Sequence, residues 1–188
     1  MAQEEEILIL LLEDSNTDAE LVKIYLAEEF AIPPEVVRVL RLEDAIEALA
    51  RRDFDVVLTD LNLPDSAGLA TFQELQRHAR DTAIVILSGL ADKDMALAAL
   101  REGAQDFVVK DQLDNGVVGR TIRFAVERSK RLEAFRFVEQ ILDSLPAHVA
   151  VLDANGTILT VNVAWRDFAS QNHFIGDQFA VGSNYLNV

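Results

Sequence analysis

Five short apolar runs alternate with amphipathic stretches, and this alternation leaves few folds open. Ile7–Leu12, Val36–Leu40, Phe54–Thr59, Ala83–Leu87 and Phe107–Val109 are rich in Leu, Ile and Val. Runs this short read as buried strands rather than helices. Between them the apolar residues change to helical spacing. Asn16 or Thr17 can cap a helix carrying Leu21, Ile24, Tyr25 and Leu26 on one side, and Pro33-Pro34 ends the connection after it. Glu43–Arg52 has Ala45, Ile46, Ala48 and Leu49 at helix spacing. Leu63–Ser66 reads as loop and Ala67–Ala79 as helix. Asp92 caps a further helix reaching about Glu102, where Gly103 ends it. The alternation predicts an α/β fold, a five-stranded doubly wound parallel sheet with helices on both faces.

Such sheets bind ligands beyond the carboxyl ends of their strands. Glu13, Asp14, Asp60, Ser88 and Lys110 all fall at strand ends. If the first and third strands are neighbours, three carboxylates meet at one edge. Like charges in a poorly hydrated cleft call for a cation or a proton. Mg²⁺, a hard ion that prefers oxygen and takes one or two carboxylates directly, meets that need. Asp14 and Asp60 can hold it, and Glu13, one carbon longer, can orient a metal-bound water. Lys110 can reach an anion beside the metal, and Ser88 can donate a hydrogen bond. Gly89 lets a backbone N–H approach closely. This set suits phosphoryl transfer, whose transition state spreads charge over three equatorial oxygens. Asp60 is the candidate nucleophile, because carboxylates form aspartyl-phosphates. Asp14 alone could equally cap the next helix; with Asp60 and Lys110 it points to a site.

Acidic residues outnumber basic ones 32 to 17, for a formal charge of −15. Direct binding to nucleic acid or anionic lipid is therefore not expected, and the same acidity serves solubility. The absence of cysteine excludes disulfides, thiolate metal sites and cysteine nucleophiles. The acidic start is no signal peptide, and no stretch approaches the ~20 apolar residues that cross a bilayer. The expected place is the cytoplasm, with no membrane partner. His78, His148 and His173 are scattered without ligand spacing.

After the fifth run, helical spacing continues from about Asn115 to Asp143. Val118, Ile122 and Ala125 should pack on the sheet. Phe135, Val138, Leu142 and Leu145 then follow at three- and four-residue steps, a coiled-coil seam of about two heptads that predicts a homodimer. Arg128 and Arg131 interrupt the seam upstream, and the alternative is a single helix packed on its own domain. Pro146 breaks the helix. Val149–Asp153 and Ile158–Asn162 flank Asn155-Gly156, a strong hairpin signal. Ala164–Ser170 reads as helix. A hairpin and one helix hardly make a core alone, so this reads as the front of a second domain.

Particular residues carry a family resemblance. Leu-Leu-Leu-Glu13-Asp14-Ser, Leu-Thr-Asp60-Leu-Asn-Leu-Pro64-Asp-Ser-Ala-Gly68, Ile-Leu-Ser88-Gly89 and Asp-Phe107-Val-Val-Lys110 resemble the receiver domain of two-component response regulators over about two thirds of the chain. The resemblance implies the flavodoxin-like receiver fold. It implies that Asp60 accepts a phosphoryl group from a sensor histidine kinase or phosphotransfer protein. Asp14, Asp60 and the backbone carbonyl of Asn62 would bind Mg²⁺, with Glu13 assisting. Ser88 and Lys110 would contact the phosphoryl group, and Phe107 would change rotamer as Ser88 moves. Ser88 stands where Thr is more frequent, and Phe107 where many relatives have Tyr. Asp111 follows Lys110 where many have Pro, and a cis bond before a non-proline residue costs about 2.5–4 kcal/mol.

Leu145 to Ile158, then Val161-Asn162-Val-Ala-Trp165, resembles the opening of a PAS domain, and no cofactor is assigned to it. The expected organisation is a receiver over 1–126, a helical linker over 127–143 and a partial α+β PAS segment over 144–188. The expected function is a phosphorylation-dependent switch, not a metabolic enzyme, relaying its state through the helix. The alternative is the receiver module of a larger hybrid or PAS-containing histidine kinase. A flavodoxin-like cofactor carrier would need a Ser/Thr/Gly-rich phosphate loop where Glu13-Asp14 stand. An aspartate-dependent phosphatase would usually have a second acid where Asn62 stands.

Overall fold

The structure, a computed structural model, describes residues 7–79, 82–89, 92–113, 116–172 and 181–185. The expected helix start at Asn115 and His173 lie outside the described residues. The chain divides into two compact units, Met1–Lys130 and Arg131–Val188.

In the first unit, β1 (Leu8–Leu12) leads to α1 (Asn16–Glu29), β2 (Glu35–Val39), α2 (Leu42–Arg51) and β3 (Val56–Asp60). The two-residue strands β4 (Asn62–Leu63) and β5 (Ser66–Ala67) follow, then α3 (Leu69–His78), β6 (Ala83–Ser88), α4 (Lys93–Arg101) and β7 (Asp106–Val109). A 3-10 turn over Lys110–Gln112 precedes α5 (Val117–Ser144), which runs on into the second unit. Five strands pair in parallel in the order β2-β1-β3-β6-β7. The winding reverses between β1 and β3, so the switch point lies at their carboxyl ends.

Alternate side chains of each strand enter opposite cores. Ile9, Leu11, Val56, Leu58, Val85 and Leu87 pack with Ala19, Val22 and Leu26 of α1 and Val118, Ile122 and Ala125 of α5. Leu10, Leu12, Val57, Ile84 and Ile86 pack with Ala45 of α2, Phe72 and Leu75 of α3, and Ala96 and Ala99 of α4. Burying each Leu or Ile contributes roughly 1.5–3 kcal/mol. Continuous apolar strands were the right signal because both faces are covered.

Several local expectations are corrected. Leu21 and Ile24 of α1 are 38% and 51% exposed; Ala19 and Val22 join Leu26 in the core instead. The cap of α1 is neither Asn16 nor Thr17 but Ser15, whose side chain accepts from Asp18 N–H. Leu63–Ser66, expected as loop, and Ala67, expected as helix start, instead belong with Asn62 to a tight antiparallel hairpin, Asn62 opposite Ala67 and Leu63 opposite Ser66. Asp92 precedes α4 but makes no side-chain cap; its carboxylate accepts from Asn62 Nδ2 at 3.2 Å. Among the described residues every peptide bond is trans, that before Asp111 included.

In the second unit, β8 (Ala150–Leu152) and β9 (Ile158–Val161) pair antiparallel, and α6 (Val163–Gln171) follows. Asp153 Oδ1 accepts from the N–H groups of Asn155 and Thr157, both at 2.8 Å, and so closes the Asn-Gly turn. Asn162, buried, ties three segments together. Its Oδ1 accepts from Val149 and Trp165 N–H, and its Nδ2 donates to the carbonyls of Leu142, Leu145 and Ala147. Along the end of α5, Phe135, Val138 and Leu145 are exposed and Leu142 is half-buried. No helix among the described residues is long and apolar enough to cross a membrane.

Candidate functional site

Asp60 is the last residue of β3, Glu13 and Asp14 follow β1, and Lys110 follows β7, so the sheet's parallel pairing delivers them all to one edge. Lys110 Nζ is the hub. It donates to Asp60 Oδ2 at 2.5 Å and to Asp18 Oδ2 at 2.9 Å, and lies 2.7 Å from Glu13 Oε2. That last contact is an ion pair whose angles miss those of a hydrogen bond, so Glu13 Oε2 is buried without a hydrogen-bond partner. Glu13 Oε1 accepts from Ser15 N–H at 3.0 Å.

Burial, the largest influence on both groups, raises the pKa of Glu13 and opposes the charge on Lys110. For Glu13, attraction to Lys110 and the Ser15 N–H offset only part of that rise, and the charge of Asp60 adds to it. For Lys110, its close contacts with the carboxylates of Asp60, Glu13 and Asp18 outweigh burial, and its pKa ends well above the usual lysine value.

Three carboxylates share one ammonium here. The donors are all oxygen, and one buried carboxylate oxygen lacks a hydrogen bond, conditions that suit a hard divalent cation. Among the described residues, no group of three or more His, Cys, Asp or Glu side chains could hold a metal ion by itself. Mg²⁺ does not require one, because it keeps waters and uses one or two carboxylates.

The loop after Asp60 is anchored at several points. Asp60 Oδ1 accepts from Asn62 N–H at 2.8 Å. The carbonyl of Leu61 accepts from Gly68 N–H and from the Thr71 hydroxyl. Gly68 has φ +67°, which a side chain would strain, and a Cβ there would meet Met95 Sδ at 3.3 Å. Asp65 reaches back to accept from Leu42 and Glu43 N–H, so it caps α2 from a distant loop. Burial acts to raise the Asp65 pKa, but these N–H groups prevail and hold it below the usual aspartate value.

Of the residues expected from sequence, the structure gathers Glu13, Asp60 and Lys110. Asn62 adjoins them through its N–H, with its side chain on Asp92. Asp14 is exposed, and its backbone carbonyl accepts from Arg38. Ser88 is buried at the end of β6, its hydroxyl donating to Gly89 O at 3.0 Å. Phe107 is half-buried against the α2–α3–α4 core. Sequence reasoning missed Asp18 and Arg38. An acid in the first turn of a helix is ordinarily explained by the helix dipole, which hides Asp18. Arg38 carried a visible signal, a lone charge inside Val36-Val37-Arg38-Val39.

Fold and site together define an open α/β domain with an acid–lysine pocket at the switch point. The chain belongs to the response regulator receiver domain family, whose model matches residues 9–119. Among curated relatives, it is 36% identical over 100 residues to the regulatory protein LuxO of Vibrio cholerae, covering 53% of this chain and 21% of LuxO. It is 30% identical over 122 residues to the cell cycle transcriptional regulator CtrA of Caulobacter vibrioides, covering 65% of this chain and 51% of CtrA. The chain thus spans about half or less of these relatives. A signal receiver domain of a LuxO-type repressor from Vibrio parahaemolyticus aligns with TM-score 0.60 and 26% identity over 70% of this chain and 98% of that one. A receiver domain from Bacteroides fragilis aligns with TM-score 0.57 and 29% identity over 65% and 98%. Receiver domains as a family bind Mg²⁺ at their phosphorylation site and work with histidine kinases or phosphotransfer proteins.

Proposed function

We propose that Asp60 is the phosphoryl acceptor of this receiver. The observation that carries the reading is the Lys110 ammonium in contact with Asp60 Oδ2. An Asp60 oxygen attacks phosphorus of a partner's phosphohistidine. The P–O bond forms as the P–N bond breaks, and the imidazole leaves with the electron pair and takes up a proton. Lys110 shifts its charge from the carboxylate to the phosphoryl oxygens. Asp14, Asp60 and the carbonyl of Asn62 would hold Mg²⁺, with Glu13 assisting; when bound, the ion neutralises phosphoryl charge. Ser88 exchanges its bond to Gly89 O for one to the phosphoryl group, and Phe107 turns inward behind it. Acetyl phosphate with Mg²⁺ should add one phosphoryl group, read by intact mass. Asp60→Asn should abolish the addition; steady phosphate release from many esters would favour a phosphatase instead.

The switch acts by differential stabilisation of two states, and about 5.5 kcal/mol moves a population from 1:99 to 99:1. The surface around Asp94–Glu102 and Val117–Arg123 changes its preferred partner. The exposed Phe135, Val138 and Leu145 with Leu142 form the seam of a homodimer, through which α5 carries the change to a PAS segment begun by β8, β9 and α6. Inserting two residues near Glu133 should alter the downstream response to phosphorylation; an unchanged response means the helix is only a tether. The hairpin-and-helix unit after the receiver also suits a receiver module within a larger hybrid or PAS-containing histidine kinase.

A further inference from the structure

We infer that Arg38 is a positioning residue for the acidic loop between β1 and α1. This rests on the proposed role of that loop in holding Mg²⁺. Arg38 is the fourth residue of β2, paired in register with Leu11 of β1. Its guanidinium makes three hydrogen bonds to the loop: Nε to Glu13 O at 2.9 Å, one terminal nitrogen to Asn16 Oδ1 at 2.8 Å, and the other to Asp14 O at 3.0 Å. The carbonyls of both consecutive acids are therefore held by one planar cation.

The loop needs such a brace. Glu13 is buried facing Asp60 across Lys110, so like charges push the β1–α1 loop away from the end of β3. Ser15 N–H restrains the Glu13 carboxylate from within the loop, and Glu13 N–H is fixed to Val39 O at 3.1 Å. Beyond that point the peptide carrying Asp14 has Arg38 as its brace from the edge strand. Arg38 places its charge behind the acids, on backbone oxygens, where it offsets repulsion without occupying a carboxylate oxygen. Mg²⁺ demands near-ideal octahedral geometry, so a small displacement of the Asp14 backbone weakens binding. Arginine is suited to this task because its donors have fixed directions; a lysine carries the charge without the fork.

The test is a Mg²⁺ titration of the full 188-residue chain without phosphodonor, followed by ¹H–¹⁵N NMR, for wild type, Arg38→Met and Arg38→Lys. Outer residues that orient metal ligands typically account for about tenfold or more in affinity. Arg38→Met should therefore raise the Mg²⁺ Kd about tenfold, with strand resonances unmoved. Arg38→Lys should recover only a minor part of the loss. Asn16→Ala, which removes one of the three acceptors, should weaken binding less than Arg38→Met. An Arg38→Met Kd within twofold of wild type overturns the inference. So does full recovery by Arg38→Lys, which would make charge alone the cause. Failure of the underlying reading looks different: wild type itself then shows no Mg²⁺-dependent shifts at Asp14, Asp60 and Asn62 and takes no phosphoryl group from acetyl phosphate.

Discussion

Glu13 and Asn162 are both buried polar residues, one in each compact unit, and they are treated in opposite ways. Asn162 is saturated: its oxygen takes two N–H groups and its nitrogen serves three carbonyls. Glu13 keeps an oxygen with no hydrogen bond, its pKa raised by burial, among acids that share one ammonium. A saturated buried amide fastens chain segments and has no capacity left for a ligand. A buried carboxylate with spare capacity costs stability and is ready for an incoming positive charge. The second arrangement is that of a site, the first that of a joint.

Substitutions can break this contrast. Lys110→Met should have the largest effect on folding, because it leaves Glu13 buried beside Asp60 and Asp18 without their shared cation. Removing one partner of a buried ion pair costs about 3–5 kcal/mol. Urea unfolding without metal should show a loss of that order in the first unit, and added Mg²⁺ should restore part of it. Unchanged stability would mean that the ammonium does not hold the pocket together.

Asn162→Ala should cost about 2–3 kcal/mol in the second unit, because several backbone groups lose their partner at once. Trp165, the chain's one tryptophan, lies in that unit and reports its unfolding by fluorescence. If this variant melts like wild type, the joint is decorative. The smallest effect concerns Asp153, whose pKa is lowered first of all by the Thr157 N–H. A lowered folded pKa gives stability that is present above the unfolded aspartate value of about 3.9 and lost as pH falls through the folded one. The Trp165 signal should register a slight acid weakening in wild type, and that increment should be absent in Asp153→Ala.

The strands were legible because a parallel sheet covered on both faces requires apolar residues throughout, as in Ile7–Leu12 and Phe54–Thr59. Asp60, Glu13, Ser88 and Lys110 were legible because each directly follows or ends such a run. The face of α1 was misread because Leu21 and Ile24 are larger than Ala19 and Val22, yet the small residues meet the sheet. Asn16, Thr17 and Asp92 were misjudged as side-chain caps, and Ser15 was missed, because a cap depends on which N–H a side chain reaches. Asp65 belonged to a supposed loop and proved to cap α2, twenty-two residues or more away in sequence.

Amino-acid order alone thus determined the alternation of strand and helix and the edge at which acids and lysine collect. Both follow from short-range rules, strand periodicity and the direction in which a parallel strand ends. Tertiary structure decided which charges share Lys110, that Arg38 braces the acidic loop, and that Asn162 joins the end of α5 to β9 and α6. Those depend on distances between residues tens of positions apart, which only the packed sheet brings within reach of a hydrogen bond.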